Sequence, residues 1–259
     1  MSQRLSYFEG QGISSGVIHF THHPNDPAVP MNFSRVLSPI LPHCMSYLRD
    51  RNLPQAQFCQ YAKLATGEMV GAALSNLLYK KKEIETPIQH EKNIYAKTTV
   101  LKIESQSVLV SILRSGKLMV DVVSSRMPTK YKESFIVIKR IGDDAHAEVK
   151  FADICRIRAD EQVIVPDPML ATGGSLAEAI MLLKAKGAKE ENIVTMHLVS
   201  APEGVMHINK LFPSVRIIVA AMDARLNEQK YICGPGLFPE MGGEGLGDFG
   251  DRAYGTQHE

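Results

Sequence analysis

The 259-residue sequence predicts an α/β protein with a mostly parallel, doubly wound sheet. Two observations predict it. Between Ser107 and Ala221, short apolar runs rich in β-branched residues (107–112, 135–138, 163–165, 193–198, 215–221) alternate with segments of helical period. The stretch Gln162–Gly187 joins such a run to a helix through a tight loop of small residues, the unit from which these sheets are wound. A hydrophobic content of 44% in this length supports one substantial core, or one core with an appendage.

Charge and composition exclude several classes. Twenty-nine basic against 28 acidic residues leave a net charge of +1, neither a basic field for nucleic acid nor an acidic tail. Any phosphate must then be held by local charges. Cys44, Cys59, Cys155 and Cys233 are far apart without metal spacing, which fits thiols in a reducing compartment. No apolar run approaches membrane-spanning length, and no signal-peptide core follows Met1–Leu5. The expectation is a soluble, cytoplasmic protein that binds neither membrane nor nucleic acid.

Residues 1–53 read as an N-terminal arm. Pro24, Pro27, Pro30, Pro39, Pro42 and, at its boundary, Pro54 make six of the 14 prolines, a density that suits an extended segment wrapping another surface. His19, His22 and His23 have no carboxylate or Cys at ligand spacing, which disfavours a metal. Pro54 opens a helix with Phe58, Ala62, Ala65, Met69 and Ala73 on one face. Lys80–Lys82 read as a solvated face. From Glu83 to Lys102 the pattern is β-like, with Pro87 and Asn93 as turn signals.

The strand Ser107–Ile112 leads into Leu113-Arg114-Ser115-Gly116 and a helix to about Arg126. Arg114, at a strand end beside a glycine turn, can grip a pyrophosphate bidentately. The strand Phe135–Ile138 ends in Lys139-Arg140, and a polar connection containing Asp143 and Asp144, read as solvated carboxylates, precedes a β-like run, 148–154. Val163–Val165 is a strand that ends where Pro166 and Pro168 flank Asp167. Ser175 and Glu178 have capping-box spacing, and Gly187 ends the helix that follows. Ala171-Thr172-Gly173-Gly174-Ser175 offers backbone N–H groups and two hydroxyls to an anion at that helix's N-terminus. Asp167 can accept hydrogen bonds from sugar hydroxyls nearby. Phosphate at one end and diol at the other describe a cradle for ribose 5-phosphate. His197 and His207, on a later strand and helix, are accounted for by packing and solvent. Seven of the 19 glycines fall between Gly234 and Gly250, a loop with backbone available to a ligand.

The nine residues Asp167-Pro168-Met169-Leu170-Ala171-Thr172-Gly173-Gly174-Ser175 resemble the phosphoribosyl-pyrophosphate (PRPP) loop of the uracil phosphoribosyltransferases. The resemblance extends from Val108 to Thr256 through Ser200–Gly204, Leu226-Asn227-Glu228 and Gly245–Arg252, and is weaker before Val108. It implies the type I phosphoribosyltransferase fold: one domain with an arm (1–53), a helix and strands of a small β hood (54–106), a core (107–225) and a base-binding hood segment (226–259). It implies pyrophosphate contacts from Arg114 and Arg140, with Lys139 a candidate to share the role. It assigns uracil to the backbone of Ile232, Gly247, Asp248 and Phe249, with Asp248 also touching PRPP. Two departures bear on the base: about ten extra residues between Ile232 and Gly245, and Phe at position 249 where a small residue is usual. Ser111 stands where many members have Pro.

The implied activity is pyrimidine salvage, in which uracil N1 attacks C1 of PRPP to give UMP and pyrophosphate. Mg²⁺ would be held mainly by substrate oxygens, with no protein metal ligands. Positioning and electrostatics would supply the catalysis, and no general base for uracil N1 is evident. A homodimer or homotetramer is expected, with the arm and first long helix offering apolar surface; GTP is a candidate effector without a signature in the sequence. The competing readings are transfer to another base and a non-catalytic nucleotide sensor. An RNA-binding regulator lacks the basic excess it would need.

Overall fold

The structure, a computed structural model, describes residues 32–75, 77, 79–103, 106–141 and 146–256. His19, His22 and His23, most of the arm, and Asp143 and Asp144 lie outside the described residues. The elements are β1 (Phe33–Arg35), α1 (Ile40–Arg49), α2 (Gln55–Leu74), β2 (Tyr79–Glu91), β3 (Ile94–Ile103), β4 (Ser107–Leu113) and α3 (Gly116–Ser125). They continue through β5 (Tyr131–Ile141), β6 (His146–Asp153), β7 (Gln162–Pro166), β8 (Met169–Leu170), α4 (Gly174–Ala185), β9 (Ile193–Ser200), α5 (Pro202–Leu211), β10 (Arg216–Leu226), β11 (Ile232–Gly236) and α6 (Phe249–Tyr254).

One sheet runs β1-β10-β9-β7-β4-β5-β6. All neighbours along it are parallel except β5 and β6, which form an antiparallel pair at one edge. Alternation along each strand divides the interior into two layers. Leu109, Ile164, Val194, Met196, Leu198 and Ile218 point toward α1, α2 and α3. Val108, Val110, Val163, Val165, Ile193, Ile217 and Val219 point toward α4 and α5. Apolar residues on both faces are what a parallel sheet wrapped by helices requires, and the doubly wound expectation holds. Among the described residues, no helix is long and apolar enough to cross a membrane.

Four local expectations need correction. The helix α4 starts at Gly174 with Gly173 as its N-cap (φ +82°) and no side-chain cap, so Ser175 lies inside the first turn and the capping box does not form. Pro87 falls within β2, and the turn comes at Asn93 (φ +66°). Proline has no N–H for the ladder, and the register against β3 slips between Glu85 and Gln89. The hairpin β2–β3 forms a separate two-stranded sheet and contributes none of the residues lining the large cavity described below, so it is not a hood over it. Lastly, Phe58, Ala62, Ala65, Met69 and Ala73 of α2 are all buried within this chain, so that face offers no apolar surface to a partner.

Candidate active site

The carboxyl ends of β4, β5 and β7, together with residues 230–232 and 247–251, line a cavity of about 500 Å³, a size that suits a small polar ligand. Asp167 sits at its floor, where β7 breaks between two prolines and pairing with β9 resumes at Met169. Its backbone is held on both sides: the N–H donates to Met196 O (2.9 Å) and the carbonyl accepts from His197 Nδ1 (2.7 Å). Burial pushes the Asp167 carboxyl up to about 7, against the opposing pull of the Arg140 guanidinium and the Ser115 hydroxyl. Ser115 Oγ lies 3.4 Å from Asp167 Oδ1.

Ala171, Thr172, Gly173 and Ser175 line the next wall. At the start of α4, which faces this wall, the N-cap residue Gly173 has no side chain to offer and Thr172 Oγ1 accepts from the Gly174 N–H at a long 3.4 Å, so the first turn keeps N–H groups available to an anion. The loop is pressed from below by the first turn of α5. A Cβ on Gly204 would lie 2.3 Å from Ala171 O and 3.0 Å from Leu170 O, both backbone atoms that cannot swing aside. Gly204→Ala is therefore expected to destabilise the fold by about 1–3 kcal/mol, read from urea denaturation; an unchanged midpoint would show that the loop yields freely.

A family model, Uracil phosphoribosyltransferase, matches residues 36–256. The chain belongs to the uracil phosphoribosyltransferase family. It is 35% identical over 220 residues to a uracil phosphoribosyltransferase of Limosilactobacillus fermentum, covering 85% of this chain and 96% of that one. It is 36% identical over 225 residues to one of Clostridium botulinum, covering 86% and 98%. Among solved structures, the AQ2163 protein of Aquifex aeolicus aligns with a TM-score of 0.71 at 28% identity, over 88% of this chain and all of that one. Adenine phosphoribosyltransferase of Trypanosoma brucei aligns with a TM-score of 0.51 at 10% identity, over 79% of this chain and 86% of that one, a likeness of fold alone. The architecture is that of the type I phosphoribosyltransferases.

The other residues that uracil phosphoribosyltransferase motifs single out can now be placed. Arg114 and Arg140 both line the cavity, with side chains 60% and 55% exposed. Each guanidinium rests loosely on a carboxylate across the opening: Arg114 on Asp251 at 3.5 Å, Arg140 on Asp248 at 3.7 Å. The Leu113–Arg114 peptide is cis. Lys139, Met169, Leu170, Ile232, Gly247, Asp248 and Phe249 also line the cavity; Pro168 and Gly174 do not. Asp248 caps α6, accepting from Asp251 N at 3.0 Å.

The two departures from the family pattern are accommodated differently, Phe249 at the cavity wall and the extra residues away from it. The Phe249 ring is buried and packs against Phe58, centroids 5.1 Å apart. The extra residues extend β11 along β10, with Cys233 opposite Arg225 and Gly236 opposite Asp223, then turn through a short 3₁₀ helix, Pro239–Met241. None of residues 233–246 lines the cavity.

Arg49, which sequence reasoning passed over, anchors this segment. Its Nη1 and Nη2 each lie 2.8 Å from a carboxylate oxygen of Asp223. Its remaining donors reach the carbonyls of Met241 (2.9 Å), Gly245 (2.9 Å) and Gly242 (3.4 Å). Asp223 is fully buried and also accepts from Gly245 N at 2.6 Å. Ser115, Lys230 and Asp251 were likewise not singled out, yet line the cavity. Lys230 adopts φ +65° in the five-residue connection 227–231 between β10 and β11, a backbone conformation that glycine favours.

Proposed function

We propose that this chain transfers the 5-phosphoribosyl group of PRPP to N1 of uracil, releasing pyrophosphate and UMP. The observation that carries this is a single loop in one cavity. Asp167 lies at its strand end, the start of α4 at its other end, and two arginines stand across the opening. The loop N–H groups of residues 171–175 bind the 5-phosphate, and Asp167 accepts from the ribose hydroxyls. The pyrophosphate exchanges with Asp251 and Asp248 for Arg114 and Arg140; half-exposed pairs of this kind are weak and cost little to part. Lys139 stands close enough to share that charge.

As the C1–oxygen bond lengthens, negative charge grows on pyrophosphate and positive charge on the ribose, and the arginines and Asp167 oppose each other across that developing dipole. Uracil N1 attacks the opposite face with inversion. The backbone of Ile232, Gly247, Asp248 and Phe249 pairs with the alternating donors and acceptors of the base. The outward course of the extra loop and the inward turn of the Phe249 ring favour a pocket of ordinary size, and hence uracil over a larger base.

Mg²⁺ belongs to this reading as a charge-neutralising ion on pyrophosphate. The cavity carboxylates are each engaged by Arg, Ser or backbone groups, a donor set that fits an ion held chiefly by substrate oxygens. So does assembly into a homodimer or homotetramer in the cytoplasm: Ile88, Ile94, Tyr95 and Leu101 of the hairpin are exposed, and all four cysteines are unpaired. GTP is retained as the effector to test, in the same assay and by light scattering.

The deciding experiment follows pyrophosphate release from PRPP and Mg²⁺ with uracil, cytosine, orotate, adenine and hypoxanthine in turn. Release with uracil alone is expected. Release with another base would keep the PRPP site and discard the base assignment, and PRPP binding without turnover would make the chain a nucleotide sensor.

A further inference from the structure

The floor of the phosphate loop is tied to two histidines that do not line the cavity. His197 on β9 is fully buried, with Nδ1 2.7 Å from Asp167 O and Nε2 3.0 Å from Thr195 Oγ1. A carbonyl has no hydrogen to give, so Nδ1 carries the proton and donates, and Nε2 accepts from the threonine hydroxyl. Burial holds the ring neutral, its pKa pushed down to about 4. On the next helix, His207 places Nδ1 2.8 Å from Thr172 O, and again only a donated N–H makes that bond.

Each bond fixes a peptide plane. In a trans peptide the C=O and the following N–H point in opposite directions. Drawing the Thr172 carbonyl down toward α5 therefore turns the Gly173 N–H away from α5, toward the cavity. Gly173 N–H takes no protein acceptor among the described residues. At the other end, the Asp167 carbonyl lies where β7 stops pairing regularly with β9, and the His197 imidazole supplies the donor that the ladder no longer provides. Its partner N–H, to Met196 O, locks the same residue from the other side.

We infer that His197 and His207 are positioning residues that hold the two ends of the phosphate cradle in its anion-binding geometry. Neither touches substrate; both act through backbone carbonyls of the loop. The inference rests on the function proposed above, in that the anion is the 5-phosphate of a phosphoribosyl substrate.

The test uses His207→Ala and His207→Asn, because His207 is exposed and its loss leaves the core intact. The asparagine amide can stand in for the Nδ1–H donor. Calorimetry with ribose 5-phosphate is paired with the KM values for PRPP and uracil. In His207→Ala, ribose 5-phosphate binding should weaken about three- to tenfold, the loss of one neutral hydrogen bond. The KM for PRPP should rise in parallel, the KM for uracil and the thermal midpoint should stay put, and His207→Asn should recover most of the loss. His197→Asn should behave as wild type and His197→Leu like His207→Ala, with a larger effect. Unchanged ribose 5-phosphate affinity in His207→Ala overturns the inference, as do equal rises in both KM values, which would mark general loosening. Wild-type protein that fails to bind ribose 5-phosphate at all overturns the functional reading, and this inference falls with it.

Discussion

Asp167→Asn is expected to cut kcat/KM for PRPP by about 10²- to 10³-fold, the value of the charge-assisted hydrogen bonds that an amide cannot accept equally well from two ribose hydroxyls. It is also expected to make the ligand-free protein more stable. The carboxyl is buried, and its pKa rises from 3.8 to about 7 on folding, so the folded chain holds this proton more tightly than the unfolded one. The ionised group therefore penalises the fold. The penalty is absent below the unfolded value, grows as pH rises from 3.8, and is complete above about 7. Asparagine removes it, a gain of about 1–4 kcal/mol at alkaline pH that fades toward pH 4. Urea denaturation of both proteins across pH measures the gain. Wild-type kcat/KM should climb with pH through the same region, because the ionised form accepts the diol. A profile already flat through that range, with no stability gain in the variant, would remove the strained carboxylate from the account.

The second large effect belongs to Arg49. Truncation to alanine leaves Asp223 charged and buried without its bidentate partner, and strips donors from Met241 O, Gly242 O and Gly245 O. Breaking a buried pair from one side costs about 3–5 kcal/mol, and the loss should appear as a lower urea midpoint. The double variant Arg49→Met, Asp223→Leu should lose less than the sum of the single losses, because no lone charge remains. Since Gly245 stands two residues before Gly247, the double variant should still bind PRPP while its KM for uracil rises. Additive losses would show that the two side chains do not act as a pair.

The strands were legible because β-branched runs buried on both faces have few other destinations. The loop from Asp167 to Ser175 that lines the cavity was legible as a strand–turn–helix unit because acid, threonine, double glycine and serine lie in one uninterrupted stretch. What escaped notice depends on distant backbone. His197 and His207 reach carbonyls 30 and 35 residues away, and an imidazole aimed at a peptide group leaves no periodicity. The Ser175–Glu178 spacing suggested a side-chain cap, whereas Gly173 takes the N-cap position and Ser175 falls inside the first turn; a spacing rule does not register at which residue the chain turns into the helix. The direction of the Phe249 ring was likewise unreadable, since a glycine-rich loop has no repeating face, and only packing against Phe58 from α2 decides it.

The extra residues after Ile232 have a practical corollary. The loop leaves and re-enters the body at neighbouring points: a Cβ on Gly245 would lie 2.1 Å from Ile232 O. Ends already in register impose little closure penalty, and lengthening such a loop costs only about 0.6 kcal/mol per doubling. The exposed Pro239–Glu240 tip thus forms a socket into which foreign sequence, an epitope or a fluorophore-binding peptide, could be spliced without reaching the cavity, at the loss of the Glu240–Arg35 ion pair, whereas Gly236 pairs with Asp223, the Leu237 N–H donates to Met222 O and the Phe238 ring packs beneath Arg35. Its boundary is set at Met241 and Gly242, whose carbonyls Arg49 requires.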